Sequence, residues 1–234
     1  MSGWSVVGID PAPTKPAIAY QDGGWTQIKP TALRRFIAEI AEGPTPTLIA
    51  WDAPLSYDRG DFYDRRVDKV ARAWIKQHVS LGHFEDKAIN ARPFAGLPHW
   101  AVTCDALGLP FGTPPAGLQL VHEAPADGQH LVVIEVHPAV ALGAWWIEAG
   151  CSEPLPRYKG KPEACRRIAE ALSFPPGCSA GDDALDAFIA YRLGELLLGR
   201  GACSVGSSQA GGYVMPRCSA TDQLLVALAA PEEQ

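Results

Sequence analysis

Hydrophobic residues along this chain fall into runs of two kinds, and each kind predicts an element. Val6-Val-Gly-Ile9, Leu48-Ile-Ala-Trp51 and Leu131-Val-Val-Ile134 are short and do not alternate with polar residues. Such runs are expected of strands buried on both faces. Asp10 closes the first, Asp52 the second, and each Asp is followed by a proline within two residues. The third continues through Glu135 and Val136 to His137-Pro138. Ala17 to Tyr20 and Trp25 to Ile28 flank Gln21-Asp-Gly-Gly24, whose Asp-Gly and Gly-Gly pairs signal a hairpin. Three strands in an antiparallel meander are therefore expected at the start. Leu33, Phe36, Ile37, Ile40 and Ala41 recur at helical spacing between Pro30 and Gly43, which predicts a helix over 31–42. It carries the chain back across the sheet, so that the strand ending at Asp52 runs parallel to the first.

Beyond Trp51 the pattern changes. Asp61 to His78 reads as a helix with Phe62, Val67, Val70, Ala71 and Trp74 as its apolar positions. Arg59, Arg65, Arg66, Lys69, Arg72 and Lys76 give it a basic side, balanced by Asp58, Asp61, Asp64 and Asp68. A solvated face and a phosphate contact both fit that pattern. Proline and glycine recur from Pro93 to Pro125, which predicts a loop-rich cap. Residues 57–127 are thus expected to form an insertion within a single domain spanning 1–234. Further helices are expected over 139–149, from Tyr158 through Arg167, through the stretch 181–191, and over 221–229. Gly211 to Pro216 reads as a short edge strand.

Composition narrows the class. With 47% hydrophobic and 20% charged residues among 234, the chain is neither disordered nor membrane-embedded in type. No apolar run approaches the roughly 18 residues needed to span a bilayer. The first residues show no basic leader with an apolar core, so a cytoplasmic protein without a signal peptide is expected. A net charge of -6 argues against broad, non-specific duplex binding, which depends on a positive surface. The six cysteines form no C-x-x-C pair and the six histidines no H-E-x-x-H, so any metal here is expected to be oxygen-ligated.

The acids carry the candidate chemistry. Asp183 and Asp186 lie three apart in a helix-forming run, on a face continued by Ala190, Gly194 and Leu197. Buried carboxylates need a cationic side chain or a metal. If the strands ending at Asp10 and Asp52 are parallel neighbours in register, these two acids lie side by side. A divalent ion, magnesium or manganese, shared by Asp10, Asp52, Asp183 and Asp186 is the site expectation. Glu135 is an acid inside an apolar strand, either paired with a nearby Arg or His or standing at the site's edge. His137 before Pro138 is a structural hydrogen-bonding residue or a substrate contact. Five bases against one acid between Arg157 and Arg167 make a local basic patch, with Lys159 and Arg167 as candidate phosphate contacts or as parts of a solvated face.

The order strand, strand, strand, helix, strand, insertion, strand, then helices is that of the ribonuclease-H-like fold. Val7-Gly-Ile-Asp10, Trp51-Asp-Ala-Pro54, Ile134-Glu-Val-His-Pro138, Tyr158-Lys-Gly-Lys161 with Arg167, and Asp182-Asp-Ala-Leu-Asp-Ala187 resemble, in order, the motifs of the family called domain of unknown function 429. That resemblance covers residue 6 to about residue 216. It implies an α/β fold with a mixed five-stranded sheet, three antiparallel and two parallel strands, flanked by helices. It also implies a ribonuclease-H-like nuclease with acids on the first strand, the fourth strand and the final core helix, positions taken here by Asp10, Asp52, Asp183 and Asp186. Such a site would hydrolyse phosphodiester bonds of a nucleic acid with two metal ions, Asp10 bridging them. Glu135 would orient a water and Lys159 steady a phosphate. The alternatives are an actin- or sugar-kinase-like phosphotransferase and a non-catalytic binding module, because one fold hosts many functions.

Overall fold

The computed structural model describes residues 3–55, 65–79, 97–109, 112–207 and 211–230. Expectations for Arg59, Asp61, Phe62 and their neighbours lie outside these residues, as does the whole interval 80–96. The three buried runs become β1 (Ser5–Asp10), β4 (Thr47–Trp51) and β6 (Leu131–Glu135), and the hairpin supplies β2 (Ala17–Gln21) and β3 (Gly24–Ile28). The sheet has six strands in the order β3-β2-β1-β4-β6-β5, where β5 (Leu118–Leu120) is the added edge. Pairing is antiparallel through β1-β2-β3 and parallel through β1-β4-β6-β5. This corrects the expected count of five. A three-residue Leu-Gln-Leu strand is too short to show a period, and it falls in the segment read as a cap.

Both faces of the sheet are covered, which explains why its strands do not alternate in polarity. On one side Val7, Ile9, Ile49, Trp51 and Val133 pack with Leu33 and Ile37 of α1 (Pro30–Glu42) and with Ala106 and Leu107 of α3 (Leu97–Leu107). Trp51 donates its indole N–H to Thr103 at 3.1 Å, tying β4 to α3. On the other side Val6, Leu48, Ala50, Val132 and Ile134 meet α2 (Arg66–His78), α4 (Pro138–Glu148), α5 (Pro162–Ala171), α6 (Asp182–Leu198) and α7 (Ser219–Ala229). The helix α3 corrects the loop-rich reading of its segment. Its one proline, Pro98, sits at the second helical position, where no intrahelical N–H is lost.

The helix α6 lies across β1, β2 and β4. Its approach to β1 is possible because residue 8 is glycine: a Cβ there would stand 2.1 Å from the Ala187 carbonyl oxygen and 2.2 Å from the Tyr191 amide nitrogen. Gly194 extends the same contact toward Val6 and Leu48. The stretch Gly211–Pro216 is a fully buried strand, β8, not an edge of the main sheet; it pairs antiparallel with β7 (Ala202–Ser207) in a separate hairpin. The partner escapes notice in the sequence because Ala-Cys-Ser-Val-Gly-Ser carries little of the branched or aromatic character of a strand. No helix among the described residues is long and apolar enough to cross a membrane.

Candidate active site

Parallel pairing in register brings the ends of β1 and β4 together. Ile9 lies opposite Trp51, and the Asp52 N–H donates to the Ile9 carbonyl at 2.9 Å. Asp10 and Asp52 are the next residues on adjacent strands, and they follow Gly8 and Ala50 in the pleat on the side covered by α6. Both side chains are half-buried. Among the described residues no hydrogen bond or ion pair reaches either carboxylate. Burial raises the Asp10 carboxyl well above the usual range, and the Asp52, Asp186 and Asp183 charges add to this while Lys159 opposes it. Asp52 is raised by burial and by Asp186, against the pull of Lys159. Burial first, and neighbouring acids second, disfavour the charged form of both carboxyls, an effect that a nearby cation would relieve.

The first turns of α6 bring the other two aspartates to the same end of the sheet. Asp186 is fully buried; it accepts a hydrogen bond from the Tyr158 hydroxyl at 2.9 Å and an ion pair from Lys159. Burial still raises its pKa, although Lys159 and Tyr158 oppose the rise. Asp183, one turn earlier, accepts Lys15 at 2.5 Å. The two lysines arrive on irregular chain. Lys15 sits in the proline-rich loop between β1 and β2. Lys159 occupies a turn closed by the Lys161 N–H on the Tyr158 carbonyl at 2.9 Å, with Gly160 at φ +70° as the position that only glycine takes without strain. Burial works against the Lys159 charge, but Asp186, Tyr158, Asp10 and Asp52 more than offset it and raise its pKa well above the ordinary value.

Glu135 stands apart from this group. Register places it opposite Trp51, one step out of phase with Asp10 and Asp52. Its carboxylate accepts two N–H groups of Arg65, at 2.5 and 3.0 Å, and the Leu55 N–H at 2.9 Å. Arg65 also pairs with Asp68 at 2.8 Å, and the Arg65, Asp68 and Glu135 side chains are only 1–2% exposed. Burial lifts Glu135 to about 7 in spite of Arg65, whereas Arg65 is raised above its own usual value. A guanidinium does not give up its proton in this range and holds two carboxylates at once, so the pair is ionised. The acid expected to orient a water is thus the anchor of Arg65 at the start of α2.

His137 caps the N-terminal end of α4 through its backbone, its carbonyl accepting the Val140 and Ala141 N–H groups. Its ring meets the edge of Tyr213 with centroids 5.5 Å apart. Burial, reinforced by the charges of Arg65, Lys159 and Arg72, drives its pKa down to about 3, so the imidazole is neutral at physiological pH. Arg167 is exposed and pairs with Glu153 at 3.2 Å; the two line a cleft of about 450 Å³ with Arg157 and Lys161. The structure therefore brings together Asp10, Asp52, Asp183 and Asp186, adds Lys159 to them, and leaves Glu135 and Arg167 outside.

Sequence reasoning missed Lys15, the hydroxyl of Tyr158 and the role of Arg65. Lys15 carried one usable signal, its place five residues after Asp10 in the loop at the same sheet end. Among the described residues no group of three or more His, Cys, Asp or Glu side chains stands ready to hold a metal ion. Lysines occupy the third and fourth acids. A search with the chain finds no matching family model, no matching curated protein and no matching solved structure.

Proposed function

We propose that this chain is a divalent-metal-dependent phosphodiester hydrolase, a nuclease on a ribonuclease-H-like core. Asp10 and Asp52 carry the reading: two carboxylates with no hydrogen-bond or ion-pair partner among the described residues, fixed at the ends of adjacent parallel strands, with Asp186 beside them. The meander β1-β2-β3 followed by parallel β4 and β6 supports it, and so do the motifs through which the sequence resembles domain of unknown function 429.

The donor set fits magnesium or manganese. It consists of carboxylate oxygens, which hard divalent ions prefer. The four aspartates outnumber the two lysines by two charges, the charge of one such ion. Asp10 and Asp52 would hold it from the strand side and Asp186 from the helix side. A bound ion supplies Lewis acidity, activating water and stabilising the departing oxygen of the diester. The residues of the chain do the rest. Tyr158 fixes the orientation of the Asp186 carboxylate through its hydroxyl, and the tight packing of α6 on Gly8 keeps that carboxylate at a set distance from the strand ends. The Lys159 ammonium keeps two-fifths of its side chain exposed beside Asp186, and in this reading it would neutralise a non-bridging oxygen of the substrate phosphate. A two-ion form would need Asp183 in addition, and Asp183 and Asp186 are paired with Lys15 and Lys159.

Those lysine pairs favour a second reading, a non-catalytic binding module on the same fold. One experiment separates the two. Short single- and double-stranded DNA and RNA, and bis(p-nitrophenyl) phosphate as a small diester, are incubated with the protein and manganese, magnesium or chelator. Hydrolysis that needs the metal and disappears in Asp10→Asn supports the hydrolase. A well-folded chain that cleaves none of these substrates with either ion sinks it in favour of the binding module.

A further inference from the structure

Three basic side chains pair with acids in and beside the candidate site, and they are held in two different ways. Arg65 is fully buried and grips Glu135 and Asp68 with both edges of its guanidinium. Lys15 and Lys159 each reach an aspartate with a single flexible ammonium, and their side chains keep 55% and 40% of their surface exposed. A buried fork cannot leave without stranding two carboxylates. A half-exposed lysine can swing into water at little cost where its acid also meets water, as at Asp183; at the buried Asp186 it can leave only as another cation takes its place.

The lysines, moreover, sit on the acids that would complete a metal shell, and among the described residues they leave Asp10 and Asp52 without a hydrogen-bond or ion-pair partner. We infer that Lys15 and Lys159 are exchangeable counter-cations, which hold Asp183 and Asp186 while no metal is bound and release them when a divalent ion enters. This rests on the metal reading above and adds a property to it: the site binds its ion in competition with its own side chains. The fixed members are Asp10, Asp52, Asp183 and Asp186, carried at strand ends and on a packed helix. The mobile members are the lysines, carried on a proline-rich loop and a glycine turn. Among the described residues no ready-made cluster of three ligands exists, and the two helix acids are paired with lysines.

Competition of this kind has a measurable consequence. If each lysine keeps its aspartate occupied most of the time, removing it should tighten the apparent metal affinity by roughly 5- to 10-fold. Removing a nearby positive charge that touches no aspartate should change affinity by less than about 2-fold, since exposed charges are well screened. Lys161 is such a charge, exposed and two residues from Lys159.

The experiment titrates the full chain with manganese, by calorimetry and by the loss of free-ion paramagnetic signal, for wild type, Lys15→Met, Lys159→Met and Lys161→Met. Circular dichroism and melting curves confirm that each variant is folded. Tighter binding in the first two variants and wild-type affinity in Lys161→Met is the expected result. Unchanged affinity in Lys15→Met and Lys159→Met overturns the exchange while leaving a wild-type metal site standing. Equal tightening in all three variants also overturns it, reducing the effect to general charge. No binding by any chain at millimolar manganese removes both the exchange and the metal reading. Binding by the lysine variants alone upholds the competition and shows that the native lysines win it. If Lys159→Met does not fold, Lys15→Met decides, because its pair is the more exposed.

Discussion

Asp10 and Asp52 lie in a recess whose charge the neighbouring side chains offset only in part. An acid whose pKa is higher in the folded chain than in the unfolded one holds its proton longer when folded. Its contribution to stability is therefore most favourable at low pH and is lost as pH rises from about 4 through the raised folded value. Asp10→Asn removes that penalty. Its melting temperature should match wild type near pH 4 and exceed it increasingly toward pH 8, by a few degrees for each 1 kcal/mol or so in a chain of this size. A lower melting temperature at pH 8 would show that Asp10 is a structural anchor. Arg65 predicts the opposite behaviour. Arg65→Met leaves Glu135 and Asp68 buried without their shared partner, and denaturant unfolding should report a loss of about 3–5 kcal/mol.

At the scale of elements, the site depends on how closely α6 can lie on β1. The contact is backbone against backbone at Gly8, where no side-chain rotamer can make room. Gly8→Ala should therefore cost at least about 3 kcal/mol of stability in urea unfolding, more than overpacking a flexible part of the core. Any folded fraction should lose metal binding together with the α6 contact, because moving the helix moves Asp183 and Asp186 away from the strand ends. Intact metal binding in a folded Gly8→Ala protein would mean that the helix acids are not ligands.

For the whole molecule, the surplus of carboxylates at one sheet end makes stability depend on ions. A cation that binds only the folded chain stabilises it by mass action, by about 2.7 kcal/mol at a concentration one hundred times its dissociation constant. Manganese or magnesium should raise the melting temperature of wild type by several degrees for that gain. An equal ionic strength of sodium chloride should not, and Asp10→Asn and Asp52→Asn should lose the response. The same rise with sodium chloride would reduce the effect to screening of a crowded acidic recess.

Legibility followed the range of the interactions. The runs ending in Asp10 and Asp52, the glycine-bounded α1 and the shared face of Asp183 and Asp186 could be read because period and local turn chemistry encode them within a few residues. The sixth strand could not, since β5 is defined by a neighbour it meets only in the sheet, and β7 by its pairing with β8. What the amino-acid order alone determined was where carboxylates stand on strands and helix, and hence which of them can converge. Which charges answer them was decided only by tertiary structure. Lys15 meets Asp183 across 168 positions and Arg65 meets Glu135 across 70, and no local pattern records a contact whose distance is set by packing. Burial decided the remainder, because the same carboxyl group is an ordinary acid in an extended chain and a reluctant one beside Asp52 under α6.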